Sequence, residues 1–135
     1  VRQFRLLLAL LIFLPFVGRC EVTNLTNEQL QQWIARGVPV VDIRTPAEWK
    51  ETGVIKGSHL LTFFDESGRA NVDAWMAQFS KIAGPGDAVV LVCRSGNRTG
   101  QVTRFLDQNA GYRKIAHLQK GISIWIAAGN PVVRP

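Results

Sequence analysis

Two cysteines, Cys20 and Cys93, are all that the 135 residues contain. So few exclude a disulfide scaffold. The two histidines, His59 and His117, stand far apart without metal-ligand spacing, so no metal or other cofactor is expected. Both read as surface histidines or hydrogen-bonded core ones. Basic residues outnumber acidic ones, 16 to 10, but form no run and no basic–aromatic stripe, so nucleic acid is not indicated as a partner. Trp33, Trp49, Trp75 and Trp125 read as helix-face core residues rather than a stacking platform. Internal repeats and low-complexity segments are absent. The apolar run at 6–17 also falls short of the roughly 20 residues a membrane span needs.

That run has a distinct pattern of its own. Arg2 and Arg5 precede it, and Gly18-Arg19-Cys20-Glu21 follow. A basic start, a short apolar stretch and a small-residue exit describe a secretory signal over 1–20, or a membrane anchor if the segment is retained. The plainer alternative is an apolar helix packed on the domain. Arg19 stands where lipid attachment at Cys20 would want a small residue. The expected organisation is therefore an N-terminal signal or anchor, 1–20, and one domain, 21–135, exported to a bacterial periplasm. Membrane contact would come only through 1–20. Removing 1–20 leaves thirteen basic and ten acidic residues, a net charge of +3. It also leaves Cys93 without an internal disulfide partner. A lone thiol persisting in an oxidising compartment is expected to be used.

The surroundings of Cys93 say for what. Ala88-Val89-Val90-Leu91-Val92 is short, β-branched and apolar, the signature of a buried strand. Cys93-Arg94-Ser95-Gly96-Asn97-Arg98 forms a polar turn, and Val102, Phe105 and Leu106 then recur with helical spacing. A cysteine between a strand end and a helix start faces unpaired backbone N–H groups and the positive end of a dipole, so it is expected to ionise more readily than a free thiol.

Elsewhere helices and strands alternate. Thr26 and Gln29 suggest a capping box for a helix ending at Gly37. Residues 38–43 read as a strand, and Thr45-Pro46 starts a helix over 47–52 that Gly53 closes. A strand follows at 58–62, a helix from 71 or 72 to 82, a turn at 84–87, a strand at 115–118 and a helix at 122–128. Short apolar strands joined by helices imply an α/β fold. Its central parallel sheet of about five strands is covered by helices on both faces, and ligands bind at the strands' carboxyl ends.

The sequence resembles the rhodanese family, specifically its single-domain sulfurtransferases, from about Thr26 to Val133. Residues 40–49, then Gly53-Val54-Ile55-Lys56-Gly57-Ser58, the Cys93–Arg98 loop, and Gly121-Ile122 with Trp125 and 128–132 match the family's signatures in order. Two positions depart: Val54 stands where histidine is frequent, and Lys120 where a second glycine is. Val54 reads as structural, and Lys120 as a pocket-rim cation or a solvated turn lysine. The resemblance implies a rhodanese-like domain in which Cys93 takes the outer sulfur from a small anionic donor such as thiosulfate. The persulfide would then pass that sulfur to cyanide or a thiol, including a protein thiol. Backbone N–H groups from Arg94, Ser95, Gly96, Asn97, Arg98 and Thr99 would curl around the transferred sulfur, Gly96 allowing the curl. Arg98 and Arg94 would attract the donor. No general base is required, in keeping with a sequence that places no histidine near Cys93. Asp42, Arg44 and Glu48 read as structural support, Arg44 pairing with Asp42 or Glu48.

Three rivals are set against this reading. A cysteine phosphatase or arsenate reductase needs five residues between cysteine and arginine, whereas four separate Cys93 from Arg98. A non-catalytic binding module of the same fold would be expected to lose the nucleophile. A redox relay would want a resolving cysteine, and Cys20 is the only candidate.

Overall fold

Val89–Val92 is buried along its whole length, which for a strand means cover on both faces. In the computed structural model, which describes residues 22–135, this strand lies at the centre of a five-stranded parallel sheet. The elements run β1 (Thr23–Leu25), α1 (Asn27–Ala35), β2 (Val40–Asp42), α2 (Pro46–Thr52), β3 (His59–Leu60), α3 (Val72–Ile82), β4 (Val89–Val92), α4 (Asn97–Asn109), β5 (Ile115–Leu118) and α5 (Gly121–Ala127). The sheet order is β1-β5-β4-β2-β3. The expected α/β fold, with helices on both faces, is what forms. The 1–20 segment lies outside the described residues.

Alternation along each strand sorts the core into two layers. Val89, Leu91 and Cys93 join Val41, Ile43 and Ile115 beneath Trp75 and Phe79 of α3 and Val102 and Leu106 of α4. Val90 and Val92 join Val40, Ala116 and Leu118 on the opposite face, under Leu30 of α1 and Ile122 and Trp125 of α5. Cys93 continues the β4 alternation one residue past the strand, so its side chain falls on the α4 side.

β1 is absent from the sequence reading, whose first element is the helix capped by Thr26. Only Leu25 of its three residues is buried, too short a run to show a period. It exists by pairing with β5, Asn24 opposite His117. The helix after Cys93 starts earlier than expected. Asn97 and Arg98, read as the end of the turn, already belong to its first turn with Thr99, and Gly96 is the N-cap at φ +94°. α2 starts at Thr45-Pro46 as expected, adds a Thr45–Glu48 capping box that the sequence reading did not include, and buries no residue fully.

The C-terminal signature at Gly121-Ile122 explains itself in the structure. The Ile122 and Ser123 amides at the start of α5 donate to the Cys93 and Arg94 carbonyl oxygens at 2.9 and 3.1 Å. Gly121 sits at φ +71°, and a Cβ there would overlap the Arg94–Ser95 peptide. Lys120, at φ −103°, needs no glycine. It lines a recess with Leu25, Asn27 and Glu28, whereas Arg94 lines a separate one. Val54 pairs with Val133 through two 2.8 Å backbone bonds, as a structural residue should.

Gly121→Ala is therefore expected to cost about 2–4 kcal/mol in unfolding free energy, and Lys120→Gly less than about 1. Denaturant unfolding of the two variants checks the contrast.

Candidate active site

Cys93 ends a central strand, is free of disulfide, and is 1% exposed. Its sulfur lies under its own loop. Two groups reach it: the Gly96 amide donates to Sγ at 3.1 Å, and the Thr99 hydroxyl lies at 3.4 Å. Of the amides from Arg94 through Thr99, that of Gly96 is the one that reaches Sγ itself. Once Asn97, Arg98 and Thr99 enter α4, their N–H groups align with the helix axis. They still place the positive end of the helix dipole at Gly96, three residues from the sulfur. Gly96 carries a second constraint, since a Cβ there would collide with the Gln119 carbonyl.

The charges around the loop divide into two pairs. Arg44 and Asp42 are each 1% exposed and meet at 2.8 Å. The Arg44 guanidinium donates to both Asp42 oxygens, to Thr52 Oγ1 at 2.8 Å and to the Gly53 carbonyl at 3.0 Å. It thus ties the end of β2 to the C-terminal end of α2. Glu48, the other expected partner for Arg44, instead receives Arg98 in a two-point ion pair at 2.7 and 2.8 Å. The same carboxylate accepts from the Thr45 amide at 3.1 Å, closing the capping box. The hydrogen bonds from Arg98 hold Glu48 well below the usual carboxylate range, at about 2. Partial burial opposes that shift, and Thr45 and the Arg98 charge reinforce it. Arg98 is therefore bound to α2, while Arg94 is exposed and lines a recess of about 80 Å³ with Glu48, Ile122 and Ser123. Ser95 and Asn97 are exposed; Gly96 and Thr99 are buried.

Sequence reasoning placed no histidine near Cys93, and the structure corrects this. His117 is 7% exposed, and its Nδ1 lies 2.8 Å from Thr99 Oγ1, the hydroxyl that also approaches Sγ. Its Nε2 lies 2.7 Å from Asn24 Oδ1 on β1. Leu91 and His117 are register partners, so His117 and Cys93 share the α4 face of neighbouring strands. That face could have been inferred from the alternation of Ile115 and His117, but the identity of the adjacent strand could not. His59 is exposed on β3, far along the sheet order.

With this geometry in view, comparison with known proteins is direct. The sequence model of the rhodanese-like domain matches residues 26–128. A sulfurtransferase of Allochromatium vinosum is 34% identical over 84% of this chain and 97% of its own. Thiosulfate sulfurtransferase 18 of Arabidopsis thaliana is 24% identical, over 83% of this chain and 84% of its own. The crystal structure of a rhodanese-related protein from Thermoplasma volcanium superposes with a TM-score of 0.64 at 26% identity. The match covers 84% of this chain and 99% of that one.

Glu48 favours its charged form in the fold, so the pair's contribution is complete above about pH 4.5 and fades as pH falls toward about 2. Glu48→Gln is expected to lower stability by about 1–2 kcal/mol at neutral pH. It should also reduce the acid-induced loss across that window, as followed by denaturant unfolding at a series of pH values.

Proposed function

The chain belongs to the rhodanese-like domain family, and on that premise we propose that it is a sulfurtransferase working through a persulfide on Cys93. The observation that carries this reading is the environment of Sγ: a free cysteine at the carboxyl end of the central strand, touched by the Gly96 amide and the Thr99 hydroxyl. Both groups can donate to a negatively charged sulfur, and both are held by backbone that need not reorganise.

With thiosulfate as donor, the Cys93 thiolate attacks the outer sulfur. A new S–S bond forms as the S–S bond within thiosulfate breaks, and sulfite leaves with the bonding pair. The charge that was on Sγ then rests on the outer sulfur of the persulfide. Cyanide or a thiolate attacks that atom and regenerates the Cys93 thiolate. The persulfide places the outer sulfur one S–S bond, about 2 Å, beyond Sγ, which moves the transferable atom away from a buried position.

The side chains divide the remaining work. Arg94 is the exposed cation beside the loop, suited to drawing in a small anion. Ser95 and Asn97 form its exposed rim. Arg98 acts at one remove: bound to Glu48, it fixes the first turn of α4 and adds positive charge without being free to fork around an oxyanion. That arrangement suits sulfur transfer better than phosphoryl chemistry, where such an arginine must clasp the substrate. Export through residues 1–20 belongs to the same proposal and would bring the site to extracytoplasmic donors.

Treatment with thiosulfate is expected to add one sulfur to Cys93, visible by mass spectrometry and removed by cyanide. Cys93→Ser should abolish transfer while retaining the circular dichroism of the parent. Sustained turnover by that variant would end the assignment.

A further inference from the structure

Four side chains from four different elements form one hydrogen-bonded line: Cys93 after β4, Thr99 on α4, His117 on β5 and Asn24 on β1. The distances are 3.4, 2.8 and 2.7 Å in that order. Asn24 Oδ1 can only accept, so His117 carries its proton on Nε2 and presents a bare Nδ1 to Thr99. Thr99 then donates its single hydroxyl proton to Nδ1, the nearest of its acceptors, and turns a lone pair toward Sγ. Each group has a partner, and the direction of every bond follows from the exposed amide at the far end. Burial holds the imidazolium form of His117 down, which keeps Nδ1 available as an acceptor near neutral pH.

We propose, building on the sulfurtransferase reading, that His117 is a positioning residue that takes up the Cys93 proton through Thr99 and stores it while the sulfur is charged. On ionisation the S–H bond breaks as an O–H bond forms at Thr99. The original O–H bond of Thr99 breaks as an N–H bond forms at His117 Nδ1. No electrons change hands and no co-reactant is needed; sulfur becomes negative and imidazole positive. Every hydrogen bond in the line survives: the Cys93–Thr99 and Thr99–His117 bonds reverse direction, and His117 Nε2–H donates to Asn24 Oδ1 throughout. The Thr99 hydroxyl now donates to sulfur, and both imidazolium N–H groups keep acceptors, Thr99 Oγ1 and Asn24 Oδ1. When sulfur moves on to the persulfide, the negative charge passes outward and the proton stays on His117.

The line also solves an access problem. Cys93 is buried, whereas His117 lines a recess of about 350 Å³ with Val22, Asn24, Gly100, Thr103, Arg104 and Gln119. Arg104 is the charged side chain lining this recess. A proton can therefore leave the sulfur on the side of the sheet edge while the donor approaches over the loop.

The test is a titration of thiolate ultraviolet absorbance in the full chain, taken as the difference from Cys93→Ala. His117→Phe removes the acceptor and is expected to raise the Cys93 midpoint by about one pH unit or more, roughly a tenfold loss of thiolate at fixed pH. Asn24→Ala, on the exposed edge strand, should shift it in the same direction by less, and it decides the matter alone if His117→Phe does not fold. In sulfur transfer, both should lower kcat with little change in KM for thiosulfate. Unchanged midpoints in the folded variants would overturn the relay even if the parent transfers sulfur. Shifted midpoints in a chain that transfers no sulfur would keep the relay and sink the sulfurtransferase reading.

Discussion

The Ile122 and Ser123 amides hold the carbonyl oxygens of Cys93 and Arg94, and these two bonds determine where the chain leaves the sheet. They join the start of α5 to the carboxyl end of β4, so the loop between Cys93 and Gly96 is braced from the next crossover. Without them Cys93 would be the frayed end of a strand. With them its carbonyl is tied, its side chain keeps the alternation of β4, and the chain can turn at Gly96 directly into α4. Gly121 has no side chain because the Arg94–Ser95 peptide already occupies the space a Cβ would take.

Polar contacts do for the other wall what burial does for the core. α2 contributes no fully buried residue, so hydrophobic packing alone would hold it weakly. The Arg44–Asp42 pair binds its C-terminal end to β2, and Glu48 binds its N-terminal turn to Arg98 on α4. Arg44 is costly to bury, and its cost is offset because its guanidinium meets Asp42, Thr52 and the Gly53 carbonyl in one place. The two arginines thus serve opposite edges of α2, and Arg94 remains the one exposed to solvent beside the cysteine loop.

Local signals were legible where a short stretch of chain carries the whole physical cause. The capping box at Thr26–Gln29 and the helix start at Thr45-Pro46 formed as their residue types demand. The buried β4 run followed from its short, β-branched, unbroken apolar composition, and the helix face of Trp75 and Phe79 from spacing. Boundaries were less legible. Asn97 and Arg98 have turn-like side chains, yet both lie in the first turn of α4, where Arg98 is held by Glu48 of α2. β1 was invisible because three residues make no period, and the strand exists only in the presence of β5.

The amino-acid order by itself determined an alternating α/β chain with a cysteine between a buried strand and a helix, because periodicity, capping and turn chemistry act over a few neighbouring residues. It determined which residue carries the sulfur. Tertiary structure alone decided the company that sulfur keeps. His117 lies 24 positions away in sequence yet is one hydroxyl from Cys93, and Asn24 extends the line from the opposite end of the domain. The reason is sheet order: parallel strands bring side chains of like alternation onto one face, and which strands become neighbours is settled by packing between distant elements rather than by any local stretch of chain.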